Sequence, residues 1–284
     1  MERAESRLTP QTPWPPGAHD LPFVHRADNP MTAAEAATAM AEVGVDRAVV
    51  VPPSFAGDSN DVIGAAVRSD PRRFVAFGRI PLGPARSTAE IEAEVQRSSL
   101  TGFRLAFNTP DLRRSLRGGE VDWLWRVCQE LQLPVMVYAP GLVEELAQVA
   151  VRHDGLRLAV DHLNLSGVKA DGTALRACVH DLLPLARFAN VSVKASALPN
   201  NLPEGAPLIE VEPAVYDVVE HFGAGRVFWG SDLSRLAVAY RSWLDLFRTG
   251  LTALSDGERS LVLGGAIARW WSSTERRDLA AGMT

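Results

Sequence analysis

Polar side chains that close otherwise apolar runs are the residues of this sequence best suited to chemistry. They are Arg104 in GFRLAF, Tyr138 in VMVYA, Asp161 and His162 in LAVDHL, Lys194 and Ser196 in VSVKAS, and Asp232 in FWGSD. Asp232 follows Gly230, a residue that lets backbone or ligand come close. Its carboxylate could take a proton from water, hold a metal, or cap the next helical turn. His162 offers a metal ligand, a proton acceptor near neutral pH, or a satisfied core histidine. Arg104 needs an anionic partner, because an unpaired guanidinium inside an apolar strand is costly, and that partner is a substrate carboxylate or Asp161. Lys194, between Val193 and Ala195, suits anion binding and a structural ion pair equally. Tyr138 can hydrogen-bond a substrate or fill space, and Ser196 adds a hydroxyl at the end of its own run.

These residues are positioned by a repeating pattern of short β-branched apolar runs and helix-like segments, which implies parallel strands joined by helical crossovers. Strands are expected at 47–51, 74–80, 102–107, 134–139, 156–162, 191–196 and 227–232. Helices are expected at 32–43, 59–69, 87–98, 121–131, 142–151, 173–186, 213–222, 238–247 and 258–271, with Ser59 and Ser87 as caps and Gly44 and Gly223 after helix ends. Segments 108–119 and 196–210 read as loops that would set specificity. The fold class is α/β, a (β/α)8 TIM barrel whose first strand is missing or irregular, because a closed barrel needs one more strand before the helix at 32–43. Residues 1–30 read as a proline-rich arm and 31–284 as one domain. The alternative is an open, doubly wound sheet with that arm as an appendage. In both architectures ligands bind beyond the carboxyl ends of the strands, where the polar residues above lie.

Composition narrows the function classes. The chain has 284 residues, 46% hydrophobic, with a formal net charge of −5, so it lacks the basic surface that nucleic acid or an anionic membrane requires. No apolar run approaches the ~20 residues of a membrane span. The N-terminus has no apolar signal region, which leaves the cytoplasm as the expected location. Cys128 and Cys178 sit in helix-like stretches and are expected as reduced, buried thiols. His19, His25, His153, His180 and His221 read as surface or loop residues, and the tryptophans, including Trp270 and Trp271, as packing groups.

Taken in order, GVDRAVVVPPS, GFRLAF, LAVDHL, VSVKAS, RVFWGSD and LVLGGAIARWW resemble the amidohydrolase-2 family, which includes pyrone-dicarboxylate and sugar-lactone hydrolases and related decarboxylases. The resemblance implies a (β/α)8 barrel that hydrolyses a small carboxylated lactone, or a related ester or amide. In that reading Asp232 activates the attacking water, His162 lines the site, and Arg104, Tyr138, Lys194 and Ser196 bind substrate. The sequence departs from the family at three places. No His-x-His pair occurs anywhere, Tyr138 stands where metal-dependent members carry a histidine, and the asparagine of the closing helix is replaced within LGGAIAR. His162 and Asp232 are then the only metal ligands left, fewer than the three of a catalytic zinc site. The expected cofactor is therefore none, or one weakly held divalent, zinc-like metal. The alternatives are a metal-dependent decarboxylase on the same fold and a catalytically impaired barrel that binds a small anion or a partner. The expected partner is a small anionic substrate, with no nucleic acid and no membrane. Open strand edges would invite a second chain, a homo-oligomer. The sequence MERAESRLTPQTPWPP reads like the loop after a first strand, which gives the expectation that the natural gene product starts upstream of Met1.

Overall fold

The computed structural model describes residues 31–52, 58–167 and 169–272. The expected arm at 1–30, with His19 and His25, lies outside the described residues. Seven strands form one parallel sheet in sequential order: β1 (Ala48–Val50), β2 (Phe74–Gly78), β3 (Leu100–Ala106), β4 (Val135–Tyr138), β5 (Leu158–Val160), β6 (Val191–Ser196) and β7 (Val227–Gly230). This is the strand-and-crossover order of a TIM barrel. Among the described residues, nothing pairs with the outer edges of β1 and β7.

The connecting helices begin where the side chains can satisfy the first free amides. Thr32 with Glu35, Ser87 with Glu90 and Ser255 with Glu258 form capping boxes at the starts of α1 (Ala33–Val43), α3 (Thr88–Arg97) and α10 (Asp256–Ser260). Gly44 ends α1 in the left-handed region at φ 73°, where glycine meets no Cβ penalty. The second helix, α2 (Asp61–Ser69), starts two residues after Ser59, and the buried side chain of Asn60 turns away to bond Arg79. Between α3 and the later helices, α4 (Pro110–Arg117) replaces the loop expected at 108–119. The Thr109 hydroxyl accepts from the Leu112 amide and Pro110 opens the first turn, the cap and first-position pair that favours helix. The strongly polar DLRRSLR hid it. The crossovers continue with α5 (Asp122–Glu130), α6 (Val143–Arg152), α7 (Gly172–His180), α8 (Glu212–Phe222) and α9 (Tyr240–Asp245), and the described chain ends in α11 (Ala266–Ser272). Cys128 of α5 is buried, as expected, but Cys178 of α7 is exposed. No described helix is long and apolar enough to cross a membrane.

Alternation along the strands divides the sheet into two faces. Phe103, Leu105, Val135, Val137, Leu158, Val160, Val191, Val193 and Val227 pack in the large core that includes the crossover helices. Val75, Phe77, Met136, Ala159 and Phe228 form a separate inner cluster with Ala266 and Trp271 of α11, against which Val49, Val51 and Trp270 also pack. Gly102 makes room for this filling: a Cβ there would stand 2.2 Å from the Pro134 carbonyl oxygen and 2.7 Å from the Phe77 ring. Trp270 stacks on Phe77 of β2 at 5.7 Å and meets Phe228 of β7 at 5.4 Å. One indole thus joins the two sides of the sheet where a further strand would stand in a closed barrel. Arg157, just before β5, bonds the Trp270 carbonyl, and Arg47, just before β1, lies over the Trp271 ring at 5.3 Å. Both arginines precede their strands, so these contacts place α11 toward the amino end of the half-barrel. Trp270→Ala should therefore lower the unfolding free energy by ~3 kcal/mol in a denaturant titration, the order expected when a large aromatic contact is deleted. A loss near zero would show that the indole does not hold the two edges together.

Candidate active site

The carboxyl ends of β3 to β7 bring the predicted polar residues together around one buried carboxylate. Asp161 is 1% exposed. Its Oδ1 lies 2.7 Å from Lys194 Nζ and its Oδ2 accepts from Arg104 Nε at 2.8 Å. Burial alone would push the Asp161 carboxyl up, but Lys194 and Arg104, aided by His162, outweigh it and hold the group far below the ordinary carboxylate range. Lys194 is also 3.7 Å from Met136 Sδ on the inner face. Of the two readings open for Lys194, the structure shows the ion pair. Arg104 engages Asp161 through Nε, so that contact leaves its two Nη groups unused.

The backbone leaves the strands by an unusual route. His162, Leu163 and Asn164 after β5, Ala197 after β6 and Asp232 after β7 all have positive φ, between 47° and 59°, although none is glycine. For L-residues this region costs about 1–2 kcal/mol each, and it persists where surrounding contacts over-determine it. Here Leu163 is fully buried, Asp161 is anchored by two cations, and His162 Nδ1 lies 2.9 Å from the Ser196 hydroxyl. Three neighbouring strand ends are turned sharply, and the side chains that follow them converge.

His162 is half-buried, and burial pushes its imidazole below its ordinary pKa despite the nearby carboxylates Asp232 and Asp161, with Lys194 and Arg104 acting in the same direction as burial. Burial thus favours the neutral form of the ring. If the Ser196 hydroxyl donates to Nδ1, the ring proton sits on Nε2, which becomes a donor. The edge of Tyr138 packs on the imidazole at 5.8 Å and 71°, its face receives the Arg104 guanidinium at 5.6 Å, and its hydroxyl donates to the Leu165 carbonyl at 3.0 Å. Tyr138 thus holds His162 and Arg104 in place, with its proton already engaged. Asp232 occupies the position before a short helical turn at Leu233–Arg235, yet its side chain makes no capping bond. Of the readings open in the sequence, capping is removed, and the half-buried carboxylate makes no hydrogen bond among the described residues. Gly230 makes room for protein here: a Cβ would lie 2.9 Å from Ser196 Cβ.

A further residue escaped the sequence reading. Arg79 follows β2 and, by alternation with Val75 and Phe77, faces the interior beside Arg104. The signal was present in FVAFGRI, where a guanidinium ends an apolar strand as Arg104 interrupts one. A metal fits the described residues poorly, since no group of three or more His, Cys, Asp or Glu side chains converges among them. His162 and Asp232 supply two ligands, fewer than the three a catalytic zinc site keeps, and Asp161 is engaged by Lys194 and Arg104.

Acid stability reports on this arrangement. The Asp161 carboxyl is held low in the folded chain, so as pH falls the unfolded chain binds that proton first. The stability it contributes is complete above about pH 4, the ordinary carboxylate value, and is lost as pH drops toward the folded one. Between about pH 4 and pH 2, the unfolding free energy of the native chain should fall more steeply than that of Asp161→Asn by ~1.4 kcal/mol per pH unit. Parallel slopes in urea titrations would mean that Asp161 is not held as an anion.

Comparison with known proteins agrees with this architecture. An L-fucono-1,5-lactonase from Burkholderia ambifaria is 28% identical over 248 residues, covering 81% of this chain and 79% of its own length. A zinc-bound amidohydrolase structure from Burkholderia multivorans superposes with a TM-score of 0.72 at 22% identity, covering 86% of this chain and 89% of that one. A structure from Pseudomonas putida, described as a candidate 2-pyrone-4,6-dicarboxylic acid hydrolase, gives a TM-score of 0.69 at 23% identity and covers 90% and 92% of the two chains. The family model for amidohydrolases matches residues 8–272. With that match spanning nearly the whole sequence, the chain belongs to the amidohydrolase family.

Proposed function

We propose that this amidohydrolase opens a small carboxylated lactone by attack of water, with Asp232 as general base. The observation that carries the reading is the Asp232 carboxylate at the end of β7, fixed by a left-handed backbone and making no capping bond, in the electrostatic neighbourhood of His162. Asp232 takes a proton from water as the oxygen adds to the lactone carbonyl. The carbon–oxygen bond of the ring then breaks, and the proton on Asp232 passes to the departing ring oxygen, so that water is consumed and a hydroxy acid released. His162, donating from Nε2 while Ser196 bonds Nδ1, stabilises the charge that develops on oxygen. The outer nitrogens of Arg104 hold the substrate carboxylate, oriented by the Nε bond to Asp161 and by the Tyr138 face. The lactonase relative supports the choice of bond. The formal net charge of −5 gives no reason to expect a polyanionic partner and is compatible with a small-molecule substrate.

Ring opening of a panel of sugar lactones and carboxylated lactones, followed by acid release at constant pH, tests the reading. Turnover is expected, and Asp232→Asn should lower kcat by at least about 100-fold, the scale of a lost general base, with Tm preserved to within about 2 °C. Activity that survives Asp232→Asn unaltered would remove Asp232 from the chemistry. Release of carbon dioxide from an aromatic or unsaturated acid would assign a decarboxylase instead.

A further inference from the structure

We propose that Arg79 is a specificity-determining residue that binds a second anionic group of the substrate, spaced apart from the carboxylate held by Arg104. The inference rests on the proposed reading only in placing substrate at this mouth. Gly78 pairs with Phe103 across β2 and β3, so the residues that follow, Arg79 and Arg104, stand side by side, and alternation turns both inward. Two neighbouring guanidiniums on one face repel unless an anion lies between or beside them. Arg104 has Asp161. Among the described residues Arg79 has only Asp58, whose Oδ1 is 3.5 Å from Nε and whose side chain is 42% exposed.

Arg79 is poorly compensated for a cation so placed. Its side chain is 18% exposed, and among the described residues Nη1 is buried without a hydrogen-bond acceptor while Nε has only the long 3.5 Å contact with Asp58. Burial and the charge of Arg104 both work against its protonated form, while Asp58 works for it. Guanidinium groups in such surroundings call for a planar anion. Asp161 is shared by Arg104 and Lys194, so among the described residues Asp58 is the carboxylate left to compensate Arg79.

The backbone beneath the guanidinium is rigidly held. Asn60 Oδ1 accepts from the Arg79 backbone N–H at 2.7 Å, and Asn60 Nδ2 donates to the Arg79 carbonyl and to Glu94 Oε1, each at 2.9 Å. Glu94 is in turn bonded by Ser98 at 3.0 Å and by Arg97. Asn60 is 2% exposed. A buried polar clamp on both backbone groups of one residue fixes where its side chain begins, which is the preorganisation that an anion site requires.

Titration of the intact chain with malonate, and with acetate as the single-charge comparator, tests the assignment by calorimetry. The native chain should bind malonate at least about tenfold more tightly than acetate, the margin of one additional charge-assisted contact. Arg79→Gln should reduce that margin to within about twofold and leave acetate unchanged. Asp58→Asn, a change at an exposed side chain that removes the competing carboxylate, should tighten malonate by about threefold. Malonate bound by Arg79→Gln as by the native chain would overturn the proposal. If Arg79→Gln does not fold, Asp58→Asn decides: unchanged or weaker malonate binding overturns it. These titrations involve no turnover, so a failed lactonase assay and a failed anion site are read separately.

Discussion

Asp161 lies inside the half-barrel with a lysine on one carboxylate oxygen and an arginine on the other, and much of the site follows from that one cluster of charge. Desolvating three ionised groups is costly, and the mutual attraction compensates only when the geometry is good. Here the 2.7 Å and 2.8 Å contacts join β6 and β3 through the residue that follows β5. Removing one member would leave buried charge without compensation, at a typical cost of 3–5 kcal/mol. The same cluster fixes Arg104 through its Nε, while burial, with Lys194 and Arg104, lowers the His162 pKa against the pull of Asp161 and Asp232. The network thus supports the fold and prepares the chemistry at once.

The amino end of the strands is organised by the opposite kind of interaction. Trp270, Phe77 and Phe228 fill the inner face with aromatic surface, while Gly102 leaves the space that Phe77 occupies. This apolar plug and the charged cluster divide the interior along its length. Packing sits at one end and ionisable groups at the other, in keeping with the separation of stability and function in barrels of this kind.

Much of this was legible in the sequence, because parallel strands buried on both faces read as apolar runs that few other elements produce. All seven strands lie where those runs do, and β6 matches residue for residue. Asp161, His162, Lys194 and Asp232 stood out because each interrupts or ends such a run. Other features carried weaker signals. The α4 helix has an almost wholly polar sequence, so its Thr109–Pro110 start was its only mark. The left-handed turns at His162, Leu163, Asn164, Ala197 and Asp232 involve no glycine, and tertiary contacts rather than local preference impose them. Arg79 lay in an expected strand, but its place next to Arg104 depends on the β2–β3 register, which periodicity does not supply. The exposure of Cys178 likewise depends on which face of α7 packs inward.

A double-mutant cycle between Asp161 and Lys194, using Asp161→Asn, Lys194→Met and the pair together in urea titrations, tests the central claim most directly. If the buried cluster is what the structure depends on, each single change should cost ~3–5 kcal/mol and the double should be more stable than additivity allows by at least ~2 kcal/mol, because it leaves neither of the two charges behind. Additive losses would contradict the account, since they would mean that the two groups are held independently and that no shared charge organises the strand ends.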